Sequence, residues 1–174
     1  MVLIRHLFAI AALPFVVTVV IPIWIVRRES LALTIAPTAP GLIGQIVGLL
    51  FLTIGIALFG ASLRRFVVDG EGTLAPWDPP RQLVVRGPYR YVRNPMISGV
   101  VFLLFGETLL FRSASLAQWA VSFLAINLIY IPLFEEPQLK RRFGEPYIEY
   151  SRHVSRLLPR IRPWTPPAPG RNAP

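Results

Sequence analysis

The sequence predicts an all-α fold: an integral membrane helical bundle of about four transmembrane helices with a helical lid on its cytoplasmic side. Three observations carry this prediction. Of the 174 residues, 53% are hydrophobic, and mean hydropathy is +0.54, which is unusually apolar for a soluble domain that also holds 18 prolines. Polar residues collect in blocks between long apolar runs instead of recurring along them, a membrane pattern. Basic residues crowd the blocks on one side of those runs, as topology-setting charges do.

The first run, Leu7 to Val26, contains no charged residue. At helical rise it covers about 30 Å, enough for the hydrocarbon core. Pro14 and Pro22 are expected to kink it, which membrane helices tolerate. The run exceeds the usual apolar stretch of a signal peptide, about 7–15 residues, so a retained helix is expected. The second span is Gly41 to Leu63, with Gln45 as its one strongly polar residue. Gly44 and Gly48 form a G-x-x-x-G pair, which permits close helix approach.

The third span runs from about Met96 to Phe111 and the fourth from about Leu116 to Phe134. Arg112 to Ser115 leaves room only for a tight turn, so these helices are expected to be antiparallel neighbours. Glu107 lies inside the third span near Arg112, and a structural hydrogen bond or ion pair is expected for it. Asn127 is expected to join helices. The chain thus divides into residues 1–63 with two N-terminal spans, residues 64–162 with a loop, a transmembrane hairpin and C-terminal helices, and a tail over 163–174. The tail is rich in Pro and Ala and is expected to be disordered.

Four spans place both termini on one side. That side holds 15 of the Lys and Arg residues; Arg27, Arg28 and Arg112 are the three on the other. The positive-inside rule predicts cytoplasmic termini, in the inner membrane of a cell that has one. Formal charge is +9, but beside apolar spans such charge meets anionic lipid rather than nucleic acid. There is no cysteine, and His6 and His153 are the only histidines. This excludes disulfides, thiolate sites and a cysteine nucleophile, and argues against any metal site.

Two stretches flank the predicted hairpin on its cytoplasmic side. The first is Leu83 to Met96, containing Gly87-Pro88-Tyr89-Arg90-Tyr91-Val92-Arg93-Asn94-Pro95. Pro95 suits the first turn of the third span, and Asn94 its N-cap. Arg90 or Arg93 beside that helix N-terminus could receive an anion, or the arginines could simply snorkel. The second stretch is Glu135-Glu136-Pro137, then Phe143-Gly144, Tyr147 and Tyr150. Adjacent carboxylates at a membrane edge repel each other and lose hydration, so a cation or an Arg should relieve them. They could also simply begin the next helix, whose first turn Pro137 fits. Pro137 to Phe143 reads as a short amphipathic helix, stopped by Gly144; Glu145-Pro146 starts another. Phe143, Tyr147 and Tyr150 would present rings along one side, and Lys140, Arg141 and Arg142 would meet headgroups. Gly70, Gly72 and Ala75 fit G-x-G-x-x-[GA], yet Pro76, Pro79 and Pro80 prevent the helix a dinucleotide site requires.

Together the two stretches offer carboxylates for an ammonium, Arg and a helix N-terminus for a carboxylate, and rings for a flat base. S-adenosylmethionine carries all three groups; zwitterionic lipid headgroups share two of them. A non-catalytic membrane scaffold or an anionic-lipid-binding protein would also explain spans and charge, but gives the paired carboxylates no task.

Over about Phe66 to Pro159 the chain resembles the membrane methyltransferases of the isoprenylcysteine carboxyl methyltransferase and phospholipid N-methyltransferase superfamily. The resemblance rests on Gly87 to Met96 with Gly99, on Glu135-Glu136-Pro137, and on Phe143-Gly144, Tyr147 and Tyr150. It implies an S-adenosylmethionine-dependent methyltransferase acting on a lipophilic or small acceptor: a carboxylate, amine or thiol. It also implies cofactor contacts by Tyr89, Arg93, Asn94, Pro95, Glu135 and Glu136, and by Gly70 and Gly72 through a G-x-G motif. It assigns no catalytic base here. Two positions depart from the pattern: Ile97 stands where the family often has Tyr, and Tyr130 where the isoprenylcysteine enzymes have a functional Arg.

Overall fold

A computed structural model describes residues 13–69 and 83–166. Among the described residues the regular structure is entirely helical. The first helical stretch contains a π turn, Val16–Val20, followed by α1, Ile21–Arg28. Then come α2, Ala39–Asp69, a 3-10 turn Gly87–Arg90, α3, Pro95–Phe111, and α4, Ala114–Tyr130. A second π turn, Ile131–Glu135, leads into α5, Glu136–Phe143, and α6, Glu145–His153, completes the set. Residues 7–12 of the first expected span, Gly70 and Gly72 with the rest of the loop to residue 82, and residues 167–174 of the tail lie outside the described residues.

Among the described residues, two helices are long and apolar enough to cross a membrane: Ala39–Arg65 and Ala114–Phe143. Only 17% and 22% of their most apolar stretches are buried within the protein. A soluble core helix would be covered by its own fold; these faces are left uncovered, as faces that meet lipid are. Ile43, Ile46, Leu49, Ile56, Ile126 and Ile129 all point outward. The shorter apolar helix α3 lies between α2 and α4.

The α2–α3 contact is the principal packing interface, and glycine makes it possible. A Cβ on Gly48 would lie 2.9 Å from the Gly106 carbonyl oxygen, and one on Gly106 would lie 2.9 Å from that of Gly48. Gly55 and Gly99 repeat the arrangement at 2.9 and 3.0 Å. Each helix therefore contributes glycines seven residues apart, a spacing that keeps both on one seam of an antiparallel pair. The expected G-x-x-x-G pair is only half used. Gly48 is at the seam, but a Cβ on Gly44 would meet nothing within 4 Å.

At the end of the bundle near the α3–α4 turn, Gln45 ties three segments together. Its Oε1 accepts from the Ala36 amide at 2.9 Å, and its Nε2 donates to the Thr34 and Leu110 carbonyls at 2.7 and 3.2 Å. The turn is as short as expected: α3 ends at Phe111, Arg112 takes φ 52°, and Ser113 caps α4 by accepting from the Leu116 amide. Glu29 accepts from Ser113 and Ser115 across this end. The expected Glu107 bond is not made: Glu107 Oε2 is buried without a partner, and Arg112 reaches Thr34 Oγ1 at 3.2 Å. Asn127 bonds to the Phe123 carbonyl of its own helix at 2.8 Å rather than joining helices.

Prolines shape both π turns. Between Pro14 and Pro22 the Ile21 amide reaches back to the Val16 carbonyl instead of that of Val17. The freed Val17 carbonyl accepts from Trp119 Nε1 at 3.0 Å, which docks the first helical stretch on α4. The second π turn corrects an expectation. The fourth span does not stop before Glu135; α4 runs through Ile131–Glu135 into α5 as one continuous helix to Phe143. The π register absorbs Pro132 and Pro137, whose missing amides would otherwise break the helix.

Candidate active site

The first stretch folds tightly. Gly87 takes φ 55°, a left-handed conformation that glycine adopts freely. Pro88 then sets a 3-10 turn, in which the amides of Tyr91 and Val92 reach the Pro88 carbonyl at 2.9 and 3.2 Å. Val92 is fully buried, which directs Arg93 towards α5. Asn94 stands at the N-cap of α3, but its side chain makes no capping bond. Pro95 fills the first turn, as expected.

The two stretches meet. Arg93 Nη1 lies 2.9 Å from Glu136 Oε1, and both side chains are about nine-tenths buried. A residue the sequence did not single out completes the cluster. Arg156 Nε donates to Glu136 Oε1 at 2.7 Å and its Nη2 to Oε2 at 3.1 Å, a forked pair. The hydrogen bond to Glu136 also holds the Arg156 guanidinium above its usual pKa. Glu136 is thus saturated from within the protein.

Its neighbour is not. Adjacent residues on a helix point about 100° apart, so Glu135 faces away from Arg156. It makes no hydrogen bond or ion pair among the described residues, yet it is electrostatically coupled to Arg93 and Tyr89. Burial, and then the Glu135 charge, raise the Tyr89 hydroxyl above its ordinary pKa. Arg93 Nε is also buried without a partner. An unmet buried donor costs about 1–3 kcal/mol, and the unpaired Glu135 carboxylate feels the charge of the same arginine without forming an ion pair with it.

A strap over residues 154–166 holds the first stretch in place. The Arg93 amide donates to the Ser155 carbonyl at 2.9 Å and the Asn94 amide to that of Arg156 at 3.1 Å. The Ser98 hydroxyl meets the Leu157 carbonyl at 2.8 Å. The Arg160 and Trp164 amides reach the Tyr91 and Arg90 carbonyls, each at 2.9 Å. Arg90 is consumed here, with Nε on the Trp164 carbonyl at 2.8 Å and Nη2 on Thr165 at 2.6 Å. Residues 163–166, the described part of the tail expected to be disordered, are therefore docked through Trp164, whose ring packs on Tyr150 and stacks on His153. A large aromatic side chain gains enough by burial to hold a proline-rich segment.

The lid rings face inward. Tyr147 and Tyr150 are 3% and 2% exposed and pack with Leu83, Val85, Leu139 and Phe143. Tyr150 donates its hydroxyl to the Tyr89 carbonyl at 2.6 Å. Gly144, at φ 59°, separates α5 from α6. Lys140, Arg141 and Arg142 are exposed.

A family model described as phospholipid methyltransferase matches residues 43–146, more than half of the chain, including the first stretch and the second as far as Gly144. The chain belongs to the phospholipid methyltransferase family. Membership of this family makes it a membrane methyltransferase. No curated protein and no solved structure matches it. Arg156 and the strap follow the matched region of the phospholipid methyltransferase model, and no periodic pattern marks them. The one sequence signal for the strap is Trp164, an aromatic residue set between Pro163 and Pro166.

Proposed function

We propose that the chain is an S-adenosylmethionine-dependent methyltransferase that acts on a lipophilic or small acceptor at the cytoplasmic face of the inner membrane, with both termini cytoplasmic. The Arg93–Glu136 contact carries the reading: it unites two distant motifs and leaves Arg93 Nε and the Glu135 carboxylate unpartnered within electrostatic reach of each other. These groups fit the amino-acid end of S-adenosylmethionine. Arg93 and the α3 N-terminus, at Asn94 and Pro95, suit its carboxylate. Glu135 suits its ammonium, and Tyr89 lies within the electrostatic reach of Glu135. Glu136 supports the site through Arg93. Gly70 and Gly72 belong to the same proposed site through their G-x-G spacing.

When bound, S-adenosylmethionine would supply an electrophilic methyl group on a sulfonium. The protein's part is then to align the reactants and exclude water, without a covalent intermediate. The lid core of Tyr147, Tyr150 and Trp164 shields the charged cluster from the aqueous side. The exposed apolar faces of α2 and α4 leave an acceptor a lateral route from lipid. Residues 1–63 would serve as the membrane anchor of a cofactor-binding unit spanning residues 64–162.

The test is equilibrium binding of S-adenosylmethionine to protein in detergent, followed by incubation of membranes with the methyl-labelled compound and identification of the product. Saturable binding lost in Glu135→Gln and Arg93→Ala proteins of unchanged helicity is expected. A well-folded wild type that binds none would overturn the proposal. A base-labile methyl product would point to an ester, and a stable one to an amine.

A further inference from the structure

We infer that Arg156 is a positioning residue that keeps Arg93 available to a ligand carboxylate by monopolising Glu136; the inference rests on the reading of the site just given. Three observations carry it. Glu136 has two carboxylate oxygens, and the Arg156 fork occupies both, at 2.7 and 3.1 Å. Arg93 is left with a single contact to Glu136, through Nη1 at 2.9 Å, and a long one to the Tyr147 hydroxyl at 3.4 Å. Its Nε is buried and unpartnered.

Two guanidinium groups therefore share one carboxylate unequally. An arginine and a carboxylate left alone prefer the two-bond fork. Without Arg156, Arg93 would close that fork on Glu136, turning its Nε towards Oε1 or Oε2. The site would then lose its donor for the ligand carboxylate, while Glu135 would still receive an ammonium. Arg156 is itself held by the strap, because the Asn94 amide bonds to the Arg156 carbonyl at 3.1 Å. The strap thus sets the direction of Arg93 from both its backbone and its counter-ion.

Specificity for the ligand's carboxylate is the property this arrangement controls. Wild type should bind S-adenosylmethionine about 10- to 100-fold more tightly than decarboxylated S-adenosylmethionine, the range expected for a charge-assisted hydrogen bond. In Arg156→Ala the affinity for the full compound should fall until the two ligands bind within about threefold of each other. Arg156→Lys, which cannot form the fork, should be intermediate. Isothermal titration in detergent reads both ligands, and thermal unfolding of the same samples reads the fold. A merely structural role would weaken both ligands equally and leave their ratio unchanged, which overturns the inference. Tighter binding of S-adenosylmethionine by Arg156→Ala would also overturn it, since Arg156 would then compete with the ligand. Binding of neither ligand by wild type would instead overturn the underlying reading of the site.

Discussion

Alanine at position 48 should loosen the α2–α3 pair, whereas alanine at position 44 should not. A Cβ on Gly48 would stand 2.9 Å from the Gly106 carbonyl oxygen, 3.0 Å from Leu109 Cβ and 3.2 Å from the Leu110 amide nitrogen. Carbon–oxygen contacts between helices settle at about 3.3–3.6 Å, so α2 and α3 must separate by roughly half an ångström along that turn. Two of the three obstructing atoms are backbone, which cannot rotate away. Overpacking of this kind costs about 1–3 kcal/mol, while replacing glycine within a helix returns up to about 1 kcal/mol. Gly48→Ala should therefore be destabilised by up to about 2 kcal/mol. Gly44→Ala meets nothing within 4 Å and should gain up to about 1 kcal/mol. Equilibrium unfolding in mixed micelles, followed by circular dichroism, measures both. Equal stability of the two variants would refute the seam.

Glu136→Gln should cost about 3 kcal/mol or more, since it leaves two guanidinium groups without their shared counter-ion; Glu135→Gln should unfold like wild type while losing ligand binding, and thermal unfolding with titration separates the two. Gln45→Leu should destabilise by about 1–3 kcal/mol by stranding the Ala36 amide and the Thr34 carbonyl, read in the same micelle assay. Stability should fall as pH rises past about 10, the ordinary tyrosine value. Burial raises Tyr89 and Tyr150 in the folded protein, so the unfolded chain loses their protons first, and Tyr150→Phe should flatten that alkaline loss in a pH series of unfolding curves.

The apolar runs and the short turn before Ala114 were legible because each depends on local sequence: span length, charge-free stretches and a turn with no room for alternatives. The meeting of Arg93 with the acidic pair was legible in outline, since a folded hairpin brings its two flanks to one end. Which carboxylate meets Arg93 was not, because that depends on the rotation of a helix around Pro132 and Pro137. The sequence suggested that Pro137 begins a helix, whereas the π turn lets it lie within one. Arg156 was invisible for a different reason. It lies on an irregular strap 63 residues after Arg93, and only tertiary hydrogen bonds identify it. The glycine seam was misread because spacing by four suggests a contact wherever it occurs, whereas Gly55, Gly99 and Gly106 gain meaning only once α3 is laid against α2.

The seam also works as a ruler. Sliding α2 past α3 by one residue would lift Gly48 off Gly106 and Gly55 off Gly99 together, forcing side chains into both gaps. The α2–α3 pair thus has two notches that engage at a single setting. Gly99 lies four residues after Pro95, so the notch at Gly55 fixes the height of the α3 N-terminus relative to α2. The depth at which Arg93 sits against the bilayer is consequently set by backbone contact inside the membrane, independently of the lid that covers it.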